Sequence, residues 1–423
     1  MSSLIEELKW RGLLQDMTPG LEDELKKGSI VGYIGYDPTA PSLTIGNLVT
    51  IMLLKHLQLK GHRPIVLMGG ATGKIGDPSG KDKERQLLSY QQLQANIDKQ
   101  AAQFTKFLDF DGPNAAVVVN NADFYDGMDI FTFLRDIGKN ITISYMLSKE
   151  SVKNRLEKGI SFTEFSYQLI QGYDFQHLYE KENCVLQMGG SDQWGNIMTG
   201  THFVGKNGGK AFGLTCPLLT KADGKKFGKS EEGNVWLAPE MTSPYKFYQF
   251  WQGSGIVDDD LPKLFKTFSL KSREEIEEVL AMDDPIAKRK ILAEELTVRI
   301  HSQEAYESVL KATQIVFNKK LKKDFLEGLS EQDFDMLSNE LPSAQIAKAA
   351  FDEDSNVLKL LVGNHDSLKS NGDARRAIKG SALSVNCEKV TSHELVLTND
   401  DLIQGKYLFV QNGKKNKFLL VVE

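Results

Sequence analysis

Several polar segments of the chain carry residues whose types and spacing suit work on a phosphorylated ligand. The first is Asp37-Pro38-Thr39-Ala40-Pro41-Ser42-Leu43-Thr44-Ile45-Gly46-Asn47, set between a strand-like and a helix-like apolar stretch. Thr39 and Thr44 offer hydroxyl donors, Asn47 offers an amide donor, and Gly46 lets a phosphate or base approach the backbone. A helix starting here adds oriented N–H groups and partial positive charge. These groups are neither acids nor bases at neutral pH, so they suit a displacement that needs positioning and charge stabilisation. Far downstream, Lys221-Ala222-Asp223-Gly224-Lys225-Lys226-Phe227-Gly228-Lys229-Ser230 packs four lysines into ten residues. Such a cationic loop, between a strand-like run and a helical region, is placed to close over a site and reopen. Together the two strings predict a grip on the triphosphate of ATP from two sides. Each alone also reads as ordinary structure: a proline turn with a helix cap, and a solvated charged loop.

Two more segments add recognition chemistry. Gly189-Gly190-Ser191-Asp192-Gln193-Trp194-Gly195-Asn196 follows a buried strand. Asp192 suits a ribose hydroxyl pair and Gln193 a carboxylate or amine, unless the segment is only a strand-to-helix turn. In Phe162-Thr163-Glu164-Phe165-Ser166-Tyr167-Gln168-Leu169-Ile170-Gln171-Gly172-Tyr173-Asp174, residues Tyr167, Gln171 and Asp174 fall on one helix face. If buried, that polar stripe needs partners, and a small polar ligand would supply them. A partly exposed helix face is the alternative.

The elements that must hold these groups follow from hydrophobic pattern. Ser29–Tyr36, Pro64–Met68, Ala116–Val119 and Cys184–Met188 read as short buried strands separated by helical periodicity such as Ile97, Ala101, Phe104 and Leu108. This predicts an α/β fold, a Rossmann-like parallel sheet covered on both faces, with ligands at the carboxyl ends of the strands. From about Ser243 to Asn318 the pattern is helical, with a capping box at Ser272-Arg273-Glu274-Glu275 and Pro285 at a helix start. The stretch to Ser355 reads as a charged linker with short helices. The last 70 residues read as a small α+β unit. Its strands are Leu383–Asn386, Tyr407–Val410 and Phe418–Val422, and its helix ends at Arg375-Arg376-Ala377-Ile378-Lys379.

At 423 residues, 41% hydrophobic and 26% charged, the composition is that of an ordinary globular protein of two or three domains. No apolar run is long enough for a membrane helix, so no membrane partner is expected. Met1–Leu8 reads as a capped acidic helix, unlike a secretory leader. Cys184, Cys216 and Cys387 are scattered without zinc spacing, which favours a cytoplasmic setting. The histidines form no metal pair, and no structural metal is expected. Net charge is −6, but the segment from Asp354 onward carries +2. A basic tail on an acidic body fits local RNA contact.

These segments, with Gly69-Gly70-Ala71-Thr72-Gly73 and Gly76-Asp77-Pro78-Ser79-Gly80, occur in the order found in one family. The chain resembles the bacterial tyrosyl-tRNA synthetases, class I enzymes, over essentially its whole length. The resemblance implies a Rossmann-like catalytic domain over 1–220. A lysine loop and helical anticodon-side domain over 221–320 follow, then a linker over 321–353 and an S4-like RNA-binding domain over 354–423. It implies tyrosine–tRNA ligase activity: ATP, taken with Mg²⁺, and L-tyrosine form an adenylate whose tyrosine passes to tRNA(Tyr). It also implies a homodimer. Tyr33 and Asp174 would bond the substrate phenol, a paired acceptor and donor that phenylalanine would leave unpaired. Tyr167 and Gln171 would hold the α-amino group, with Asp77 nearby, and Gln193 would face the carboxyl end. Gly35, Asp37 and Asp192 would face adenosine. Thr39, Thr44, Gly46, Asn47, Lys81, Arg85, Lys226, Lys229 and Ser230 would meet the phosphates. In the tail, Arg375, Arg376 and Lys379 are the expected RNA contacts. The family's His-x-Gly-His is here Thr44-Ile45-Gly46-Asn47. Losing one transition-state donor costs roughly 2.7–4 kcal/mol if nothing replaces it. Lys74 is the expected compensating cation. Tryptophan activation, small-molecule nucleotidyl transfer and a catalytically retired RNA-binding paralogue are the competing readings.

Overall fold

The structure is a computed structural model that describes all but residues 1–2, 80–86, 157–158, 221–226, 231–232, 254, 319–320 and 415. The chain forms two compact units: Met1–Ser243 with Gln249–Ile300, and Pro244–Tyr248 with His301–Glu423. Compactness therefore divides the chain at Ile300/His301, a different place from the expected 220/221, 320/321 and 353/354.

The first unit is built on a six-stranded sheet. Its strands are β1 (Asp16–Met17), β2 (Val31–Tyr36), β3 (Arg63–Met68), β4 (Val117–Asn120), β5 (Cys184–Gly190) and β6 (Phe212–Cys216). They lie in the order β1-β6-β5-β2-β3-β4. Strands β2 to β6 are parallel, as their near-continuous apolar sequences require for a sheet buried on both faces. β1 is an antiparallel edge strand of two residues, too short to leave a pattern in sequence. β6 stops at Cys216, because Pro217 has no N–H for the ladder. Order reverses between β2 and β5, whose registers place Tyr33 beside Gln187. That is where an open parallel sheet leaves a crevice beyond its carboxyl ends.

Helices cover the faces. Ile45–Leu59 packs so closely on β2 that a Cβ on Gly32 would lie 3.0 Å from Leu57 Cδ2. Tyr90–Phe104, Phe162–Glu182 and Trp194–Lys206 are the other long covering helices. The first helix, Leu4–Arg11, opens on a capping box: Ser3 N donates to Glu6 Oε2 and Glu6 N to Ser3 Oγ. The expected capping box at Ser272 opens helix Arg273–Ala281, and Asp284 Oδ1 accepts from Ile286 and Ala287 N at the start of Pro285–Ile300.

The second unit carries a five-stranded sheet in the order β11-β10-β12-β13-β9. Its strands are β9 (Ser343–Ile346), β10 (Leu383–Val385), β11 (Glu388–Lys389), β12 (Tyr407–Asn412) and β13 (Asn416–Val422). Leu383, Leu408, Val410, Phe418 and Leu420 form its core with Ala374 and Ile378 of helix Asn371–Lys379. The linker reading of 321–353 needs correction. Short helices are present at Lys323–Glu327, Glu331–Glu340 and Lys348–Glu353, but Ser343–Ile346 is a strand paired in parallel with β13. Its sequence, Ser-Ala-Gln-Ile, lacks β-branched and aromatic weight, so only the neighbouring strand makes it a strand.

Candidate active site

A cavity of about 240 Å³ opens at the carboxyl ends of β2 and β5. Tyr33, Gly35 and Asp37 reach it from β2 and its exit, and Ile34 and Tyr36 of the same strand line it as well. Tyr167, Gln171 and Asp174 reach it from helix Phe162–Glu182, so the predicted polar stripe faces inward, not outward. Asp192, Gln193, Thr39, Asn47 and Asp77 complete the set of sequence-predicted residues that line it.

The floor is Asp174, fully buried, with Asn121 Nδ2 donating to Oδ2 at 2.8 Å and Tyr125 Oη to Oδ1 at 2.8 Å. Burial pushes its carboxyl up to about 7, against the opposing pull of those two bonds. Tyr33, also fully buried, has a hydroxyl with no partner among the described residues. Burial, and then the Asp174 charge, hold that phenol well above its usual range. From Asp174 a chain of hydrogen bonds runs across the cleft. Asn121 Nδ2 also donates to Thr72 Oγ1 at 3.1 Å, and Thr72 Oγ1 donates to Asp37 Oδ1 at 2.7 Å. Tyr167 Oη closes it on Asp37 Oδ2 at 3.2 Å. Gly69 makes room: a Cβ there would lie 2.3 Å from Asp37 Oδ1 and 2.5 Å from Thr72 Oγ1. On the opposite wall Gln193 Nε2 donates to Asp77 Oδ2 at 2.7 Å, and Ser79 N donates to Asp77 Oδ1 at 2.9 Å. Gln171 Oε1 and Gln187 Oε1 are buried without a partner among the described residues.

The two distant strings meet. Gly228 lies against the helix start, where a Cβ on it would be 3.5 Å from Gly46 N. Val235 N donates to Gly228 O, Ile45 N to Val235 O and Leu237 N to Leu43 O. Phe227 anchors the second string by burying its ring among Phe250, Trp251 and Phe268 at centroid distances of 5.5, 5.7 and 6.3 Å. Phe227 and Gly228 are therefore fixed structure, not part of a wholly polar loop. Lys229 and Ser230 form a two-residue strand with Gly233–Asn234, and their side chains lie outside the described residues. Lys81, Arg85 and Lys226 also lie outside them.

Three expectations about the helix start are modified. Ile45 N is engaged by Val235 O, so it is not a free amide for phosphate. Thr44 Oγ1 and Thr44 N both donate to Asn47 Oδ1, at 2.8 and 2.9 Å, which turns the Asn47 amide nitrogen away from that pair. Asn47 lines the cavity, while Thr44 and Gly46 do not. Lys74 is exposed and rests over the Tyr90 ring at 4.9 Å rather than lining the cavity, because a cation near an exposed ring face gains more than one left in water.

Sequence reasoning passed over Thr72, Asn121, Tyr125 and Gln187. Asn120-Asn121 was discoverable, since it follows the third apolar strand at its carboxyl end as Asp37 follows the first. In the second unit, Arg375, Arg376 and Lys379 are exposed on helix Asn371–Lys379, opposite buried Ala374 and Ile378. Arg376 is paired with Asp373.

A ligand crevice at the sheet's switch point, with both polar strings beside it, defines a class. The family of tRNA synthetases class I (W and Y) matches residues 25–318, and a tyrosine–tRNA ligase SYY-like C-terminal domain matches 333–420. The tyrosine–tRNA ligase of Cytophaga hutchinsonii is 50% identical, with 99% of each chain covered, and that of Flavobacterium psychrophilum is 49% identical over the whole of both. Among solved structures, a C-terminally truncated mitochondrial tyrosyl-tRNA synthetase of Aspergillus nidulans superposes with a TM-score of 0.67 at 29% identity. It covers 74% of this chain and 94% of its own. By these matches the chain belongs to the class I tRNA synthetases of the tryptophan and tyrosine type, and among them to the tyrosine–tRNA ligases.

Proposed function

We infer that the protein activates L-tyrosine with ATP and transfers it to tRNA(Tyr). The observation that carries this reading is the cavity floor. A buried carboxylate, held in place by Asn121 and Tyr125, lies near a buried tyrosine hydroxyl that has no partner among the described residues. A phenol placed there accepts from Tyr33 and donates to Asp174. An indole cannot do both, because it offers only a donor. The Tyr167 and Gln171 side chains take the α-amino group with Asp77 alongside, and Gln193 faces the carboxylate. That carboxylate attacks the α-phosphorus of ATP, forming the acyl–phosphate bond as the bond to pyrophosphate breaks. Gly35, Asp37 and Asp192 hold the adenosine side. Thr39, Asn47, Lys81, Arg85, Lys226, Lys229 and Ser230 receive the phosphates, with Thr44 and Gly46 shaping the helix start beneath them. Mg²⁺, when bound with ATP, would supply further charge neutralisation beside Lys226 and Lys229.

Arg375, Arg376 and Lys379 are assigned to tRNA phosphates. The functional divisions at 220, 320 and 353 belong to the same reading. A homodimer is supported by the exposed apolar side chains of Ile130, Phe131, Leu134 and Ile143, close together in the chain. Among the described residues no helix is long and apolar enough to cross a membrane, and a cytoplasmic location fits that reading and the three free thiols.

ATP–pyrophosphate exchange, measured with each amino acid in turn, tests the assignment. Tyrosine alone should support exchange. Exchange driven equally by tryptophan or phenylalanine overturns it.

A further inference from the structure

Lys417 is the one lysine in the described C-terminal sheet that is buried rather than solvated. Its Nζ donates to Ile315 O at 2.6 Å, Val316 O at 3.0 Å and Asn318 O at 3.0 Å. Those carbonyls end helix Gln303–Phe317, where the last turn has no intrahelical donors and carries partial negative charge. One ammonium with three N–H groups meets three of them. Successive β13 side chains alternate between the two faces of the sheet. Lys417 thus takes the helix end on one face, and Phe418 enters the core that holds Ala374 and Ile378 on the other. Those two residues form the inner face of the helix whose outer face presents Arg375 and Lys379.

Other contacts brace the same joint. Lys311 Nζ pairs with Asp333 at 2.8 Å, Tyr407 Oη donates to Asp335 Oδ1 at 2.9 Å, and the Phe334 and Tyr407 rings stack at 4.5 Å. The helix Glu331–Glu340 is thereby held between helix Gln303–Phe317 and β12.

We propose that Lys417 is a positioning residue for tRNA: by capping helix Gln303–Phe317 it fixes the C-terminal sheet, and with it the basic helix Asn371–Lys379, in one orientation on that helix. The inference rests on the tRNA-charging reading given above. A sheet held this way presents its phosphate contacts preorganised, so tRNA binding does not carry the entropic cost of ordering the joint.

The full-length Lys417→Met variant tests this. Tyrosine-dependent ATP–pyrophosphate exchange should stay within about twofold of the parent, because no cleft residue changes. The KM for tRNA in aminoacylation should rise on the order of tenfold, with little change in kcat. The slope of log affinity against log salt should stay the same, since Lys417 touches no phosphate. A lysine on the backbone would lower that slope by about 0.7–0.9. Amide hydrogen exchange provides the second readout. Faster exchange confined to the end of helix Gln303–Phe317, with β12 and β13 still protected, supports the joint. Lost protection across the whole sheet overturns it, because Lys417 is then a folding residue only. An unchanged tRNA KM, or a lowered salt slope, overturns it as well. If the parent itself charges no tRNA, the underlying functional reading fails instead, a result separate from any effect of the variant.

Discussion

In the cleft, Tyr33 Oη, Gln171 Oε1 and Gln187 Oε1 are buried without a partner among the described residues. In the C-terminal unit, Lys417 and Asn386 are equally buried but direct their polar atoms to the backbone. Asn386 donates to Asp401 O at 2.6 Å and accepts from Phe409 N at 2.9 Å, and Lys417 caps a helix. Leaving a buried polar group unpaired costs about 1–3 kcal/mol, so a cost avoided at Lys417 and Asn386 is accepted at Tyr33, Gln171 and Gln187. The cleft accepts it where a ligand will supply the missing partner. Lys417 and Asn386 do not line that cavity.

The contrast is broken most sharply at Asp174. Asp174→Ala removes the charged acceptor at the floor and should lower kcat/KM for tyrosine roughly 100-fold, the equivalent of about 3 kcal/mol for a hydrogen bond to a charged group. Pyrophosphate-exchange kinetics read this directly. The much larger preference for tyrosine over phenylalanine, roughly 10⁵-fold, is the established reference case for enzymes of this family and is not a value drawn from this geometry.

A smaller effect comes from pH. Asp174 is raised to about 7 from an ordinary carboxylate value, so below that it is protonated in the free protein and no longer the charged acceptor. Exchange measured as kcat/KM for tyrosine should therefore fall about tenfold per unit as pH drops below about 7, and level off above it. The sign for stability is the opposite. A carboxyl whose folded value is raised favours the folded state at low pH, and that contribution is lost as pH climbs from about 4 to about 7. A flat kcat/KM between about pH 5 and 8 would show that the ionised floor is not what recognises the phenol.

The smallest effect lies in the other unit. Replacing Arg375 and Lys379 by Ala leaves pyrophosphate exchange unchanged. It should weaken tRNA binding modestly and reduce the salt slope by about 1 for each phosphate that no longer meets a cation. A fall in exchange would mean that Arg375 and Lys379 also act on the cleft.

Much of the cleft was legible in residue order. A helix puts Tyr167, Gln171 and Asp174 on one face, whatever surrounds them, while Tyr33, Gly35 and Asp37 were expected from the family resemblance. Both sets line the cavity. Residues that act through other side chains were harder to see. Asn121 matters because it bridges Asp174 and Thr72, and both partners come from distant elements. Lys74 was misplaced because sequence proximity to a glycine-rich turn does not say which way a long side chain leaves it, and Tyr90 drew it outward. Ser343–Ile346 was missed because an edge strand with weak propensity exists only by pairing with β13.

The amino-acid sequence by itself determined the parallel sheet, the strand ends where a ligand can bind and the family. These depend on local periodicity and on the order of short motifs. Only the tertiary structure decided that Asn121 and Thr72 link Asp174 to Asp37, that Gly228 lies beside Gly46 and that Lys417 caps a helix far upstream. Each of those joins segments far apart in the chain, and its energy comes from packing and pairing that no local window contains.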